Sequence, residues 1–273
     1  MGILDGRIAI IVGASSGVGY GAALRFSQEG ATVVAAARRL GKLEELKADA
    51  AKRGFPGEIL PVQCDITNEA DMDHLVEVTI EKYGQIDILA CIAQSNLNAQ
   101  FSFEETDYDN LVSTFTGGAG YTFQMVKKVL PYMKEKHYGR ILTCASGAGL
   151  RYTPHTCAYG MAKAAIVNLT HTLAQELGRY GITTNCFCPV ITNEYFENGS
   201  TDSAIPVEIM QMLSPVGRLG GAYTDGSPIL AFLASEMAGY INAQVIEVCG
   251  GIGITSPASV LEGFAKMAQQ KQQ

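Results

Sequence analysis

The stretch Gly13-Ala-Ser-Ser-Gly17-Val-Gly19 decides the fold class of this chain. It follows an apolar, β-branched run at 7–12 and precedes a helical pattern at 19–29. Glycines at such a junction let the backbone turn tightly and approach a pyrophosphate, while the helix N-terminus offers unpaired N–H groups and a favourable dipole. An ordinary glycine-rich turn is the alternative, but the strand-turn-helix context predicts a dinucleotide-binding turn.

The rest of the chain repeats this order of strand and helix. The predicted strands are 7–12, 32–37, 59–63, 87–92, 140–144, 183–188 and 245–248, and the predicted helices are 19–29, 41–53, 69–83, 108–136, 159–180 and 224–235. Such alternation predicts a parallel sheet covered by helices on both faces. Because no Pro- or Ser-rich linker interrupts the series, we expect one doubly wound α/β domain over 1–273, with a substrate lid near 190–215 and a tail at 252–273. The alternative for the lid is a loop that packs its own side chains.

Composition excludes several classes of protein. The chain has 273 residues, 47% hydrophobic and 17% charged, which excludes a disordered chain. A net charge of −7 and no Lys/Arg run longer than two argue against nucleic-acid binding. The apolar run Ile8 to Val12 is too short for a membrane span and leaves no room for a signal peptide, so we expect a soluble, cytoplasmic protein. Seven Cys without a CxxC pair and four His without HExxH predict neither a disulfide framework nor a metal site.

The second predicted strand ends in Ala37-Arg38-Arg39. A site selective for NAD usually places an acidic residue about 20 residues after the glycines, whereas a nearby Arg accommodates the 2′-phosphate of NADP. Ala37 stands in the place of the acid and Arg38 follows it, so that Arg38 is the first candidate for the 2′-phosphate and Arg39 is the next residue. The pattern favours NADPH over NADH, with two solvated Arg side chains at a strand end as the alternative.

A candidate catalytic group lies in Tyr159-Gly-Met-Ala-Lys163. Tyr159 and Lys163 are four residues apart and share one face of a helix if Tyr159 lies in its first turn. An ammonium near a phenol favours the phenolate, which makes the Tyr a usable proton donor or acceptor. Ser146, thirteen residues before Tyr159 and just after a predicted strand, can hydrogen-bond the same reacting oxygen.

Together these motifs resemble those of the short-chain dehydrogenase/reductase family, and the resemblance extends from Gly6 to Gly251. It also rests on Cys64-Asp65-Ile66-Thr67, Gly139-Arg-Ile, Asn185 to Pro189, Gly217-Arg-Leu-Gly220, Phe232-Leu-Ala-Ser235 and Val248-Cys-Gly-Gly251. The resemblance implies a Rossmann fold with a seventh strand, a nicotinamide cofactor, and a homotetramer or homodimer.

The resemblance also implies roles for individual residues. It assigns catalysis to Ser146, Tyr159 and Lys163. It places the cofactor against Gly13, Ser15, Ser16, Gly17, Val18, Gly19, Arg38, Arg39, Asp65, Ile66, Ala93, Tyr159, Lys163, Pro189, Val190 and Ile191, with Asp65 at the adenine ring. In this scheme the substrate carbonyl accepts a hydride, Tyr159 protonates the resulting alkoxide, Ser146 stabilises that oxygen, and Lys163 tunes Tyr159 and holds the nicotinamide ribose.

The chain departs from the family pattern in three segments. Cys91-Ile-Ala-Gln94 stands where the family has Asn-Asn-Ala-Gly, so that only Ala93 is kept and Gln94 puts an amide near the path of the cofactor. The family's fourth catalytic residue is an Asn in the long helix that follows, linked through water to the Lys. Counting back from Gly139 places that position at Gly118, and counting forward from Tyr108 places it at Phe115.

Glycines at 117, 118 and 120 are unusual inside a helix and cost roughly 1 kcal/mol each relative to Ala. They predict a kink, a bulge or a close ligand approach. One hypothesis is that they open space for a bulky substrate, or for a water that replaces the Asn amide. Near the nicotinamide side, Val190 replaces the family's Gly after Pro189, and Glu194 stands where a Thr is usual.

The function expected from these residues is NADPH-dependent reduction of a ketone, or oxidation of the matching secondary alcohol. Reduction of a conjugated C=C bond and a non-catalytic NADP-binding regulator are the alternatives. A pocket for a bulky cyclic or steroid-like molecule is suggested by apolar side chains that also fit an ordinary core, namely Phe101, Phe103, Tyr152, Tyr195, Phe196, Met210 and Met212. A helical stripe in the tail, Val260, Leu261, Phe264 and Met267, is expected to cover a neighbouring subunit, the pocket entrance or its own domain.

Overall fold

A computed structural model describes residues 2–95, 101–151, 153–192 and 207–254. Its strands are β1 (Ile8–Val12), β2 (Thr32–Ala37), β3 (Ile59–Gln63), β4 (Ile88–Cys91), β5 (Gly139–Cys144), β6 (Ile182–Pro189), β7 (Ile191–Thr192), β8 (Gly220–Gly221) and β9 (Val245–Val248). Seven of them form one parallel sheet in the order β3-β2-β1-β4-β5-β6-β9, and β7 pairs with β8 in parallel beside it. The predicted doubly wound α/β fold is therefore confirmed.

Helices cover both faces of this sheet. They are α1 (Gly17–Gln28), α2 (Leu40–Lys52), α3 (Glu69–Tyr83), α4 (Tyr108–Phe115), α5 (Tyr121–Glu135), α6 (Cys157–Leu177), α7 (Val207–Leu213) and α8 (Ser227–Ala234). Within the described ranges, no helix is long and apolar enough to cross a membrane.

Successive residues of β1 show why the sheet is buried on both sides. Ala9 and Ile11 pack into a core shared with α1, α2 and α8, whereas Ile10 and Val12 pack into a second core shared with α3, α5 and α6. Side chains alternate across a strand, so a central strand of a covered parallel sheet must be apolar at every position. All five residues of β1 are buried accordingly.

Parallel strands place their carboxyl ends at one edge of the sheet, and two of these ends meet where the strand order reverses. β1 and β4 are neighbours, but the next strand after β1 is β2, toward one lateral edge of the sheet, and the next strand after β4 is β5, toward the other. Ligands of open α/β sheets bind in the crevice outside such a reversal. Gly13 follows β1 and Ala93 follows β4, so both border this crevice.

The predicted helix at 108–136 is interrupted. α4 ends at Phe115, a π-turn runs over Thr116–Gly120, and α5 begins at Tyr121. The bulge expected from the glycines is thus confirmed. A second π-turn, Ala222–Gly226, precedes α8 where a regular helix was expected from 224. The first helix begins at Gly17 rather than Gly19.

The expected lid and tail are described only in part. Val207–Leu213 forms α7, with Met210 and Met212 partly buried, and Ile252–Ile254 forms a short 3-10 helix. Glu194, Tyr195 and Phe196 of the lid, Tyr152, and the tail beyond 254 with its apolar stripe lie outside the described residues. Phe101 and Phe103, expected to line a pocket, are 41% and 80% exposed.

Candidate active site

The turn after β1 is packed so closely that two of its glycines cannot carry a side chain. A Cβ on Gly13, which has a φ of +98°, would lie 2.7 Å from the backbone nitrogen of Ala93. A Cβ on Gly19 would overlap the carbonyl oxygen of Gly13. The turn therefore brings its backbone N–H groups and the start of α1 to the end of the sheet, in the arrangement that binds a pyrophosphate.

Arg39 lies across this turn. Its Nη2 donates hydrogen bonds to Ser15 Oγ and to Ser16 Oγ, each at 3.1 Å. Arg38, the other basic residue named from the sequence, is exposed and contributes to lowering the pKa of Asp65 through its charge. The sequence made Arg38 the first candidate for the 2′-phosphate, whereas Arg39 is the residue that the fold ties to the glycine-rich turn.

Asp65 follows β3 at the same edge of the sheet. Its Oδ1 accepts hydrogen bonds from the backbone nitrogen of Thr67 at 2.9 Å and from Thr67 Oγ1 at 2.8 Å. These bonds hold the pKa of the carboxyl below its ordinary value. The Asp65 backbone N–H is bound by Asp71. Asp65 is therefore a fixed carboxylate, as recognition of an adenine ring would require, and Ile66 beside it is partly buried against the core.

Ser146 stands at the end of β5, where an extended backbone leads into the 3-10 helix Gly147–Gly149. Its Oγ accepts a hydrogen bond from the backbone nitrogen of Ala148 at 3.3 Å, which leaves the hydroxyl proton free to be donated. Gly149 has no side chain, and a Cβ there would lie 2.7 Å from the backbone nitrogen of Ala164. The lack of a side chain lets the turn after Ser146 press directly against α6.

Tyr159 lies in the first turn of α6 and Lys163 one turn later, as the spacing predicted. Lys163 is 2% exposed, its Nζ donates to the carbonyl oxygen of Cys144 at 2.9 Å, and Nζ lies 5.5 Å from the centroid of the Tyr159 ring. None of the described carboxylates forms an ion pair with it. A buried ammonium that has only a carbonyl partner is costly, so its charge remains available to an anion at Tyr159.

The surroundings of Lys163 are apolar. Cys144, whose carbonyl holds Nζ, is buried, and burial raises the pKa of its thiol to about 11 although the nearby Lys163 charge opposes this. All seven Cys are free thiols, and five of them are buried. Among the described residues, no group of His, Cys, Asp or Glu is placed to hold a metal ion.

The volume beside Gly118 is filled by Gln94. A Cβ on Gly118 would lie 2.6 Å from Gln94 Oε1, and a Cβ on Gly117 would overlap Ser95 Oγ. Gly117 and Gly118 make room for two side chains of the protein itself, whereas a Cβ on Gly120 would have no neighbour nearer than 3.6 Å. The hypothesis that the glycines open space for a substrate or a water stays a prediction. Position 115 is Phe and position 118 is Gly, so neither residue supplies the amide of the Asn that the family pattern leads one to expect.

Sequence reasoning missed this pairing of Gln94 with Gly118. The signal was present, because the family's Gly is replaced by an amide at 94 while its Asn is replaced by Gly at 118. The two departures looked independent on the chain. The fold shows that a side chain at 94 and a side chain at 118 would occupy the same volume.

The remaining candidates occupy the sheet edge without polar side chains. Val190 donates its backbone N–H to Val248 at 2.9 Å, and Ile191 is buried with β7 against the core. Pro189 ends β6, and Val18 is partly buried in α1 against the same core. These residues offer a cofactor their backbone or an apolar surface only.

Comparison with known proteins gives consistent matches. Residues 13–253 match the family described as enoyl-(acyl carrier protein) reductase. The chain is 36% identical to the (2S)-[(R)-hydroxy(phenyl)methyl]succinyl-CoA dehydrogenase subunit BbsD of Thauera aromatica, covering 92% of this chain and 98% of that protein. It is 30% identical to the 3-oxoacyl-[acyl-carrier-protein] reductase FabG of Thermotoga maritima, covering 92% and 99%.

The fold matches as well as the sequence. A crystal structure of levodione reductase superposes with a TM-score of 0.85 at 29% identity, covering 93% of this chain and 100% of the other. Together with the glycine-rich turn and the placement of Tyr159 and Lys163, these matches show that the chain belongs to the short-chain dehydrogenase/reductase family of oxidoreductases, which bind nicotinamide cofactors.

Proposed function

We propose that this protein reduces a ketone with NADPH, or oxidises the matching secondary alcohol with NADP. The observation that carries the proposal is the buried Lys163, whose ammonium has a carbonyl partner and no described carboxylate, one helical turn from Tyr159. An ammonium in this place can stabilise the negative charge that forms on the Tyr159 oxygen during proton transfer. A protein that only binds a dinucleotide could use Lys163 at the ribose but has no need of the full set of Ser146, Tyr159 and Lys163.

Each of the three residues has a distinct task in this proposal. The Tyr159 hydroxyl gives its proton to the oxygen of the carbonyl as that oxygen becomes an alkoxide. The Ser146 hydroxyl donates a hydrogen bond to the same oxygen, and the Lys163 ammonium stabilises the phenolate that remains. A bound nicotinamide supplies the hydride. Oxidation of an alcohol runs the same proton steps in reverse, with the Tyr159 phenolate as the base.

The residues at the sheet edge fit a dinucleotide. Side chains at Gly13 and Gly19 would fill the turn that a pyrophosphate approaches, and Asp65 is held as a carboxylate. The preference for NADP is supported by Arg39, whose guanidinium is anchored on Ser15 and Ser16 beside this turn. An Arg in such a place matches a 2′-phosphate with several fixed N–H donors.

The proposed substrate is a bulky, apolar ketone that contains a ring. Met210 and Met212 are partly buried in α7 and are candidates for one wall of its pocket. The name of the Thauera relative includes a hydroxy(phenyl)methyl group, in which a secondary alcohol adjoins a ring. This relative supports the ring-bearing substrate more directly than the exposed Phe103 does.

A homo-oligomer is proposed as the working form. Val112 and Phe115 of α4, Phe123 of α5 and Met161 of α6 are each 42–51% exposed. Apolar side chains exposed on neighbouring helices support an interface between subunits. Size-exclusion chromatography with light scattering gives the number of chains directly.

The decisive experiment follows NADPH oxidation over a panel of cyclic ketones and the corresponding enones, with identification of each product. We expect the alcohol from the ketone. Tyr159→Phe should lower kcat by at least about a hundredfold while the Kd for NADPH stays within about twofold. Tyr240→Phe, at a fully exposed position, is the matched control and should behave as the wild type.

Other products would identify the other functions. A saturated ketone formed from the enone indicates reduction of the C=C bond. Tight NADPH binding with no turnover of any compound, in the wild type as in Tyr159→Phe, indicates a regulator and contradicts the proposal.

A further inference from the structure

Gln94 reaches from the end of β4 into the π-turn between α4 and α5. Its Nε2 donates to the carbonyl oxygen of Thr114 at 3.1 Å and to that of Ser95 at 2.9 Å. A Cβ on Gly118 would lie 2.6 Å from Gln94 Oε1, 3.1 Å from Nε2 and 3.2 Å from Cδ. The carboxamide of Gln94 thus occupies the volume that a side chain at 118 would need, so a side chain there requires the carboxamide to move away from its hydrogen-bond partners.

The π-turn depends on donors from outside the helix. A π-turn shifts the helical hydrogen bonds from i+4 to i+5, which leaves backbone carbonyls without their usual donor. Gln94 Nε2 serves Thr114, and the backbone nitrogen of Ser95 serves Gly117 at 3.0 Å. The hydroxyl of Tyr121 reaches back to the carbonyl oxygen of Ala93 at 2.8 Å. Three hydrogen bonds therefore join the segment after β4 to the end of α4, to the π-turn and to the start of α5.

The π-turn in turn supports the catalytic elements. Ala119, at its centre, packs in one buried cluster with Ala145, which precedes Ser146, and with Ile166, which follows Lys163 by less than one turn of α6. Well-packed interiors transmit displacements because they have few voids to absorb them. A shift of the π-turn therefore displaces α6 and the strand end that carries Ser146.

One acceptor of the amide remains unused. Gln94 Oε1 is shielded from solvent and accepts no hydrogen bond from any described residue. A buried acceptor without a donor is unfavourable, and at this place that cost accompanies the two hydrogen bonds that Nε2 of the same amide donates. If packing alone were required beside Gly118, an apolar side chain of the same length would suffice.

We propose that Gln94 is a positioning residue of the reaction, whose carboxamide holds the π-turn and through it sets Lys163 and Tyr159 for proton transfer. The inference rests on the proposed ketone reduction. In this proposal, Gln94 with Gly118 is one of two equivalent ways to place a single amide in this volume. Gly at 94 with Asn at 118 is the other, because an Asn there would direct its amide into the space that Gln94 leaves.

The test compares Gln94→Met, Gly118→Asn and the double variant Gln94→Gly with Gly118→Asn. Gln94→Met keeps the length of the side chain but removes the amide, and we expect kcat to fall at least about tenfold and its pH profile to shift, since small displacements of reacting groups are costly. The KM for the ketone and the Kd for NADPH should stay within about twofold. Gly118→Asn should show the same loss, because its side chain requires the Gln94 carboxamide to move away from its hydrogen-bond partners.

The double variant tests directly whether the amide can be moved from position 94 to position 118. We expect it to recover kcat and the pH profile to within about threefold of the wild type, although each single change is harmful. Gly120→Asn is the matched control in the same π-turn. A Cβ on Gly120 has its closest neighbours at 3.6 Å and 3.7 Å, so this variant should resemble the wild type.

Backbone amide NMR shifts of α6 from Ala158 to Ile166 provide a readout that needs no turnover. We expect them to move in Gln94→Met and Gly118→Asn and to return in the double variant. Wild-type kcat and unmoved shifts in Gln94→Met overturn the positioning role. A double variant no better than its parents overturns the exchange. A wild type that turns over no ketone refutes the proposed function, and the NMR arm still decides the role of Gln94.

Discussion

Two glycine-rich segments of this protein are equally crowded but differ in what crowds them. At the turn after β1, the atoms that exclude a side chain from Gly13 and Gly19 belong to the backbone, namely the nitrogen of Ala93 and the carbonyl of Gly13. At the π-turn, the atoms that exclude one from Gly117 and Gly118 belong to the side chains of Ser95 and Gln94.

This difference separates two kinds of constraint. Backbone pressed against backbone cannot be relieved by changing a neighbour, so the glycine is required by the fold itself. Where a neighbouring side chain crowds a glycine, the constraint depends on the identities of two residues. A substitution at one of these positions can then be compensated by a substitution at the other. The first kind belongs to the part of the site where this chain follows its family, and the second to the part where it departs.

The largest effect is expected for Gly19→Ala. Its Cβ would overlap the Gly13 carbonyl, so the turn must shift away from the position that a pyrophosphate uses. We expect the Kd for NADPH, measured by fluorescence titration, to rise about a hundredfold. Gly41→Ala is the control, since its Cβ in α2 would meet no heavy atom within 4 Å, and it should leave binding unchanged. A neighbouring substitution that restores binding to Gly19→Ala would break the distinction between the two kinds of constraint.

A smaller and reversible effect is expected for Gly117→Ala. Its Cβ would overlap Ser95 Oγ, and such overpacking typically costs about 1–3 kcal/mol of unfolding free energy. Ser95→Gly in the same chain removes the overlapping group and should recover most of that loss. Urea denaturation of both single variants and the double variant measures the coupling. Additive losses would show that the π-turn is constrained by its backbone after all.

The choice of cofactor should follow a side chain of the first segment. Because the Arg39 guanidinium is hydrogen-bonded to Ser15 and Ser16 beside the glycine-rich turn, Arg39→Ala should weaken NADPH binding about tenfold and leave NADH binding nearly unchanged. Arg38→Ala is the matched control and should have the smaller effect. Isothermal titration with both cofactors separates them, and an unchanged preference in Arg39→Ala contradicts the assignment.

The two segments were also unequally predictable from the sequence. The phosphate turn was readable because its glycines, the strand before them and the helix after them are local, and Tyr159 with Lys163 needed only the period of a helix. The bulge at 116–120 was readable from glycines placed where a helix penalises them. The contact of Gln94 with Gly118 joins positions 24 residues apart through the fold, so local pattern gives no sign of it. Which of Arg38 and Arg39 reaches the glycine-rich turn depends on side-chain direction at the end of β2, and the local sequence pattern does not specify that direction.

The smallest effect is expected where one side chain merely holds another. The two hydrogen bonds from Thr67 lower the folded-state pKa of Asp65, so the ionised carboxylate stabilises the fold above the ordinary Asp pKa of about 4, and this contribution is lost as pH falls through the lowered value. Thr67→Ala removes the hydroxyl but keeps the backbone N–H. It should raise the pKa of Asp65 toward the ordinary value and cost about 0.5 kcal/mol at pH 7, with no cost below both pKa values. NMR titration of the Asp65 carboxyl, together with denaturation at neutral and low pH, checks both; an equal loss at the two pH values would place the effect in the helix start at Asn68 instead of in the carboxylate.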